Sequence, residues 1–160
     1  MPTLPQLFEE DISELNSALN ELLAKSDATT AFVIDKAGFV ITQCGQEADF
    51  DVMTLAALSA ASFAATEHIA SLVKEKNFSS VYQQGDNYSL LVLNVDDNCL
   101  LTVIFQANLS VGAIKYFAVD IIRRVTMQLQ IAESRAPGTG LDLSLLNMAD
   151  PAPLFRRKTA

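Results

Sequence analysis

Two short apolar runs on either side of a tight turn, residues 31–42, constrain the fold of this chain more than any other feature. The runs AFVI (31–34) and FVIT (39–42) are rich in β-branched and aromatic residues, which favour strands, and the turn DKAG between them predicts a hairpin. Asp35 can open this turn through its side chain, and Gly38 suits a position with φ > 0. The hairpin therefore fixes an antiparallel pair early in the chain.

The segments around the hairpin show an order that neither a parallel α/β fold nor a helix bundle has. Apolar residues spaced three and four apart predict a first helix over about residues 6–25, with an acidic outer face. Asp49 and Asp51 are candidate caps for a long helix over about 51–76, which contains no Gly or Pro. Strands are predicted at 79–84, 88–95 and 99–106, and a last helix from Asn108 or Ser110 to about residue 132.

The length of 160 residues predicts one folded domain, here residues 1–133, followed by a flexible tail over 134–160. The run APGTG (136–140) breaks regular structure at the start of the tail. Residues 141–148 contain four leucines and a methionine, and the basic triplet Arg156-Arg157-Lys158 follows. One hypothesis is that this segment docks on an acidic partner surface as a short helix, and plain disorder is the alternative.

Charge and composition exclude several classes of function. The net charge of −8 opposes binding to nucleic acid, which requires clustered Lys and Arg. No stretch approaches the roughly 20 uninterrupted apolar residues of a membrane span, and the acidic N-terminal residues are unlike a signal peptide. We therefore expect a cytoplasmic protein without membrane insertion. Cys44 and Cys99 are expected to be unpaired thiols.

Residues that could perform chemistry are scarce. His68 is the single histidine and lies within the long predicted helix, so multi-histidine metal sites are excluded and a catalytic role is disfavoured. The chain has no glycine-rich phosphate loop, and the acidic turn residues lack the spacing of a calcium loop. Arg123-Arg124 is better explained as a solvated helix face than as a catalytic arginine. We expect no catalytic residue, no cofactor and no metal.

The long helix over 51–76 is apolar on two sides. One side is predicted to cover the sheet and consists of Leu55, Leu58, Ser62, Ala65, Ile69, Leu72 and Val73. The opposite side is predicted to be a partner interface and consists of Ala56, Ala57, Ala60, Phe63, Ala64, Glu67, His68 and Ser71. The alternative is that alanines only raise helix propensity and that Phe63 is an isolated exposed residue. Clustering of the apolar residues favours an interface, in which two copies of the helix would form an isologous dimer.

The element order and three local stretches, residues 32–40, 78–85 and 101–112, resemble the roadblock family, in particular its bacterial MglB type. The resemblance covers about residues 5–133. It implies an α+β fold of the profilin-like kind, an α/β/α sandwich in which a five-stranded antiparallel sheet has helices on both faces. It also implies homodimerisation through the long helix and the third strand, here Val81 and Tyr82, with residues 60–66 forming a platform of small residues.

The resemblance implies a function as well as a fold. Roadblock proteins of the MglB type regulate a Ras-like small GTPase, MglA, by steering its own switch residues without donating an arginine. The first hypothesis is therefore a homodimeric, non-enzymatic regulator of a Ras-like GTPase. The second is a roadblock scaffold for a motility, polarity or signalling complex that leaves GTP turnover unchanged. A ligand-sensing domain is the third, and it requires an internal cavity that the dense apolar strands do not predict.

Overall fold

The computed structural model describes residues 4–46 and 49–135 of the chain. The predicted order of three helices and five strands is confirmed. The elements are α1 (Glu9–Ser26), β1 (Thr30–Asp35), β2 (Val40–Gly45), α2 (Val52–Leu72), β3 (Ser80–Gln84), β4 (Tyr88–Asn94), β5 (Cys99–Gln106) and α3 (Val111–Glu133). The predicted bounds agree to within a few residues, except that α2 ends four residues early. It ends there because Lys74 adopts a left-handed conformation with φ 60°, which cannot continue a helix.

The five strands form one sheet in the order β2-β1-β5-β4-β3, and every neighbouring pair is antiparallel. This confirms the predicted α+β fold. In the β1–β2 hairpin, the Asp35 carboxylate accepts a hydrogen bond from the Phe39 N–H at 2.8 Å, and Gly38 has φ 100°. The register shifts between Val33 and Ile34, so β2 contains a bulge next to the turn.

Two helices cover one face of the sheet. Buried side chains of α1 and α3 pack there against alternate residues of β1, β4 and β5. Arg124 of α3 contributes to this layer, since its guanidinium binds the carboxylates of Glu14 and Glu21 on α1. The expectation of a solvated face therefore holds for the exposed Arg123 and is wrong for Arg124, which ties the two helices together.

A single helix, α2, covers the opposite face. Its buried residues Ala56, Ala60 and Phe63 pack against apolar side chains from all five strands of the sheet. These strand residues are Phe32, Ile34, Val40, Val81, Leu90, Val92, Leu100 and Ile104. Because one helix cannot span the face that two helices span on the other side, part of this apolar face stays uncovered. The side of α2 turned away from the sheet is also exposed.

A buried carboxylate fixes the end of α3 to the start of α1. Asp11 is fully buried, and its two oxygens accept hydrogen bonds from the Arg135 guanidinium at 2.6 and 2.8 Å. It also accepts from the Gln128 amide at 2.7 Å and from the Phe8 N–H at 2.7 Å. The hydrogen bonds from Arg135 are the main reason that the pKa of Asp11 falls to about 2. The folded state therefore strongly favours the ionised carboxylate.

We expect Asp11→Asn to lower the free energy of unfolding by roughly 1.5–3 kcal/mol at pH 7, the usual contribution of a hydrogen bond to a charged group. The pKa of Asp11 is lower in the folded chain than in the unfolded chain, so the ionised form stabilises the fold above pH 4. This contribution is lost as the pH falls from about 4 towards 2. Denaturant titrations at several pH values should thus show the two proteins converging in acid. Asp120→Asn, at an exposed position, is the control; a pH-independent difference would contradict the account.

Candidate interaction surface

The outward side of α2 is a largely apolar surface, which the exposed His68 interrupts towards the C-terminal end of the helix. We call it the outer face of α2, and it consists of Ala57, Leu58, Ala61, Ala64, Ala65, Ile69 and Leu72. Leu58 is 62% exposed, Ile69 50% and Leu72 82%. The spacings of three, four and seven residues place these side chains along one side of the helix. Four alanines in its central part leave a smooth strip against which another backbone could approach closely.

The predicted assignment of the two sides of this helix is wrong for several residues, although Leu55 packs against the sheet as predicted. Ala56, Ala60 and Phe63, expected at the interface, are 0%, 5% and 2% exposed and lie against the sheet. Leu58, Ala65, Ile69, Leu72 and Val73, expected to cover the sheet, are exposed instead. The physical reason is the fit of Phe63, which fills the space between α2 and the strands, while the small Ala56 and Ala60 let the helix lie close to them.

The remaining predicted interface residues of α2 have different surroundings. Ala57, Ala64, His68 and Ser71 are exposed, and the Ser71 hydroxyl donates to the His68 carbonyl at 2.9 Å. Glu67 is occupied within its own chain, since it pairs with Lys36 of the β1–β2 turn at 3.5 Å. The same ammonium lies 5.6 Å from the centre of the Phe63 ring. Ala57 and Ala64 therefore remain on the candidate surface, whereas Glu67 anchors α2 to the hairpin.

The edge strand β3 lies at one side of the sheet, and no other strand of the described chain pairs with its outer edge. Val81 is half-buried under α2, in the layer between helix and sheet. Tyr82 points to the opposite face, where its ring stacks on Phe105 at 6.2 Å between centroids and stays 37% exposed. An unpaired edge offers main-chain donors and acceptors to a strand of another molecule.

An open cleft of about 590 Å³ lies where α2 leaves the sheet uncovered. Thr30, Leu90 and Ile104 of the sheet, Leu55 and Phe50 at the start of α2, and Gln83 and Tyr88 of the β3–β4 hairpin are among its lining residues. The expectation of a fully filled sheet is thus wrong at this end of the α2 side. Leu55, which is half-buried, lines the cleft and also packs in the layer between α2 and the sheet.

Within residues 4–46 and 49–135, no group of three or more His, Cys, Asp or Glu side chains is placed to hold a metal ion. Burial raises the pKa of the Cys99 thiol to about 12, and it also raises the pKa of Cys44, so neither is a reactive thiolate. By length and composition α2 is the one described helix that could cross a membrane. A helix that packs on a sheet with one side and exposes an apolar outer face on the other side has the same apolar composition.

Comparisons with known proteins agree with this geometry. A family model described as "Roadblock/LC7 domain" matches residues 14–105. The fold is similar to that of Myxococcus xanthus MglB, with a TM-score of 0.74 and 26% identity over 82% of this chain and 98% of that one. The gliding protein MglB from Thermus thermophilus has a TM-score of 0.74 and 24% identity, covering 82% and 99%. A structure titled "MglB with tetrameric arrangement" has a TM-score of 0.76 and 24% identity, again covering 82% and 99%. Curated protein sequences give no match.

A substitution of Phe63 can distinguish a role of this residue in the core from a role in an interface. Phe63→Ala should lower the free energy of unfolding by about 3–5 kcal/mol, because it leaves a cavity between α2 and the sheet. Tyr116→Ala on α3, where the ring is 75% exposed, serves as the control and should change it far less. Chemical denaturation of both variants measures this. A Phe63→Ala protein with unaltered stability would contradict the observed packing.

Proposed function

The chain belongs to the Roadblock/LC7 domain family, and we propose that it is a homodimeric, non-enzymatic regulator of a Ras-like small GTPase of the MglA type. The observation that carries this proposal is the outer face of α2, an apolar surface that one subunit leaves open. A similarity to MglB at 26% identity along nearly the full length of that protein supports the choice of GTPase.

Dimerisation is supported by the composition of α2. A helix of 21 residues is roughly 30 Å long, enough to present its whole outer face to a second helix. An antiparallel pair related by a two-fold axis is self-complementary, so the same seven residues would serve both subunits. The alanines allow the axes of the two helices to approach to about 8 Å. Leu58, Ile69 and Leu72 would then be buried between the two subunits.

The edge strand supports the same dimer. The outer edge of β3 and the outer face of α2 belong to elements that contact each other in the subunit. A second copy that pairs along β3 would also bring its α2 alongside the first. Val81 and Tyr82 would then lie near the dimer axis. This arrangement would shield the cleft bounded by Leu55 and Tyr88, which the subunit by itself leaves open.

Regulation of the GTPase would occur through contacts and not through a donated catalytic group. No Lys or Arg occurs within Val52–Leu72, so the paired helices offer no arginine for transition-state charge. A surface of this kind can change GTP hydrolysis only by binding one arrangement of the switch loops more tightly than the other. The GTPase itself would then supply every group that acts on the phosphate.

A charge placed on the outer face tests the dimer. Ala61→Arg should raise the dimer dissociation constant at least about 30-fold, since a buried interface charge without a partner costs about 2–5 kcal/mol. Gel filtration with light scattering over a dilution series measures the effect. Ala113→Arg is the matched control, with the same change at an exposed position on α3. If both variants associate like the unmodified chain, the outer face is not the interface.

Hydrolysis by an MglA-type GTPase from the same genome tests the partner. The chain should form a complex with the GTP-bound form and accelerate hydrolysis, and Ala61→Arg should reduce both effects while Ala113→Arg reduces neither. Single-turnover phosphate release and a binding titration provide the two readouts. A complex without a change in rate would favour the scaffold hypothesis over regulation. Absence of a complex with either nucleotide would discard the GTPase proposal.

A further inference from the structure

A second apolar depression lies far from α2, on the outward side of α1. It is a shallow groove of about 440 Å³ lined by Leu7, Phe8, Glu9, Ile12, Ser13 and Asn16, which we call the α1 groove. Leu7 and Ile12 are only half-buried, although they pack against the main core from its outer side. The groove therefore has an apolar floor that no described residue covers.

The described chain ends at the rim of this groove. Arg135 is held by its two hydrogen bonds to the buried Asp11, and its guanidinium lies 4.8 Å from the centre of the Phe8 ring. Phe8 is itself a lining residue of the α1 groove. The clamp thus fixes the point from which residues 136–160 continue, and it fixes that point next to an open apolar surface.

The segment that follows has the composition and the length to reach the groove. Five residues, 136–140, connect Arg135 to a segment that carries Leu141, Leu143, Leu145, Leu146 and Met148. Five residues span at most about 17 Å when extended. Since the side chain of Arg135 reaches the lining residue Phe8, the connection starts within one arginine side chain of the groove and is long enough to enter it. A short tether also keeps the local concentration of the segment high, in the millimolar range.

The basic triplet near the end of the sequence is complementary in charge to the edge of the groove, whereas the apolar segment itself carries one charged residue, Asp142. The first turn of α1, at the edge of the groove, carries Glu9 and Glu10. The end of the chain carries Arg156, Arg157 and Lys158, in a protein whose net charge is −8. Opposite charges at the rim of an apolar contact favour one orientation of the segment over others. The first turn of α1 is therefore an acidic surface on this same chain on which the basic triplet could lie.

We propose that residues 141–148 bind in the α1 groove of their own subunit. The apolar side chains cover Leu7, Phe8 and Ile12, and the basic triplet lies towards the acidic first turn of α1. The Asp11–Arg135 clamp serves as the anchor of this contact. The proposal is independent of the α2 dimer and of the GTPase, because it involves the opposite face of the sheet. Residues 141–148 lie outside the described residues, whereas the α1 groove lies within them.

Intrachain disulfide trapping in the full chain tests this contact. Cys44 and Cys99 are first replaced by Ser and Ala. One protein then carries Asn147→Cys with Ser13→Cys at the groove, and the other carries Asn147→Cys with Gln130→Cys on α3. Both added sites are exposed, and Gln130 is nearer to Arg135 along the chain. An unbound tail, or one that binds α3, would therefore form the Gln130 disulfide at least as fast.

We expect the Ser13 disulfide to form about tenfold faster than the Gln130 disulfide under mild oxidation, because binding raises the local concentration at the groove. Leu145→Asp with Leu146→Asp should remove this difference. Thr139→Asp with Ser144→Asp adds the same charge at polar positions of the tail and should preserve it. Equal rates for the two disulfides, or a faster Gln130 disulfide, would overturn the proposal. So would an advantage for Ser13 that survives the leucine substitutions.

Discussion

The structure depends on one constraint, which is that a single helix must cover a sheet face as wide as the face that two helices cover on the other side. Helices α1 and α3 together cover most of their face and are joined by ion pairs of Arg124 and Arg135. On the opposite face, α2 reaches all five strands only by crossing them. The cleft beside Leu55 is a consequence of this incomplete cover, and the outer face of α2 is exposed because no described element packs on the side of α2 turned away from the sheet.

The side chains of α2 fit this constraint on both of its sides. Ala56, Ala60 and the close approach at Gly38 keep the helix near the sheet; a Cβ on Gly38 would lie 2.8 Å from the Ala57 Cα. Small residues on the outward side give a surface on which a second helix can lie equally near. The same composition thus serves intrachain packing and, in our proposal, association. Apolar residues around the whole helix carry both roles.

This dual composition also explains which parts of the structure the sequence could predict. The order of elements follows from runs, turns and caps that are local, such as the Asp51 carboxylate accepting from the Met53 and Thr54 N–H groups. The rotation of α2 about its own axis cannot be predicted from such local signals. A helix that is apolar on nearly all sides has no polar side that would indicate which side faces the solvent. The sequence pattern therefore places Phe63 on the wrong side. The pairing of Glu67 with Lys36, which marks the inner side, joins residues distant in sequence.

In the proposed dimer, another copy of the chain covers the outer face of α2 in solution. Hydroxyl-radical footprinting of the unmodified chain over a range of concentrations tests this arrangement most directly. As the concentration rises, labelling of Leu58 and Leu72 should fall together, while labelling of Tyr116 and Val119 on α3, which are also exposed, should stay constant. Unchanged labelling of Leu58 and Leu72 from dilute to concentrated solution, at the level expected of fully solvated side chains, would contradict the account.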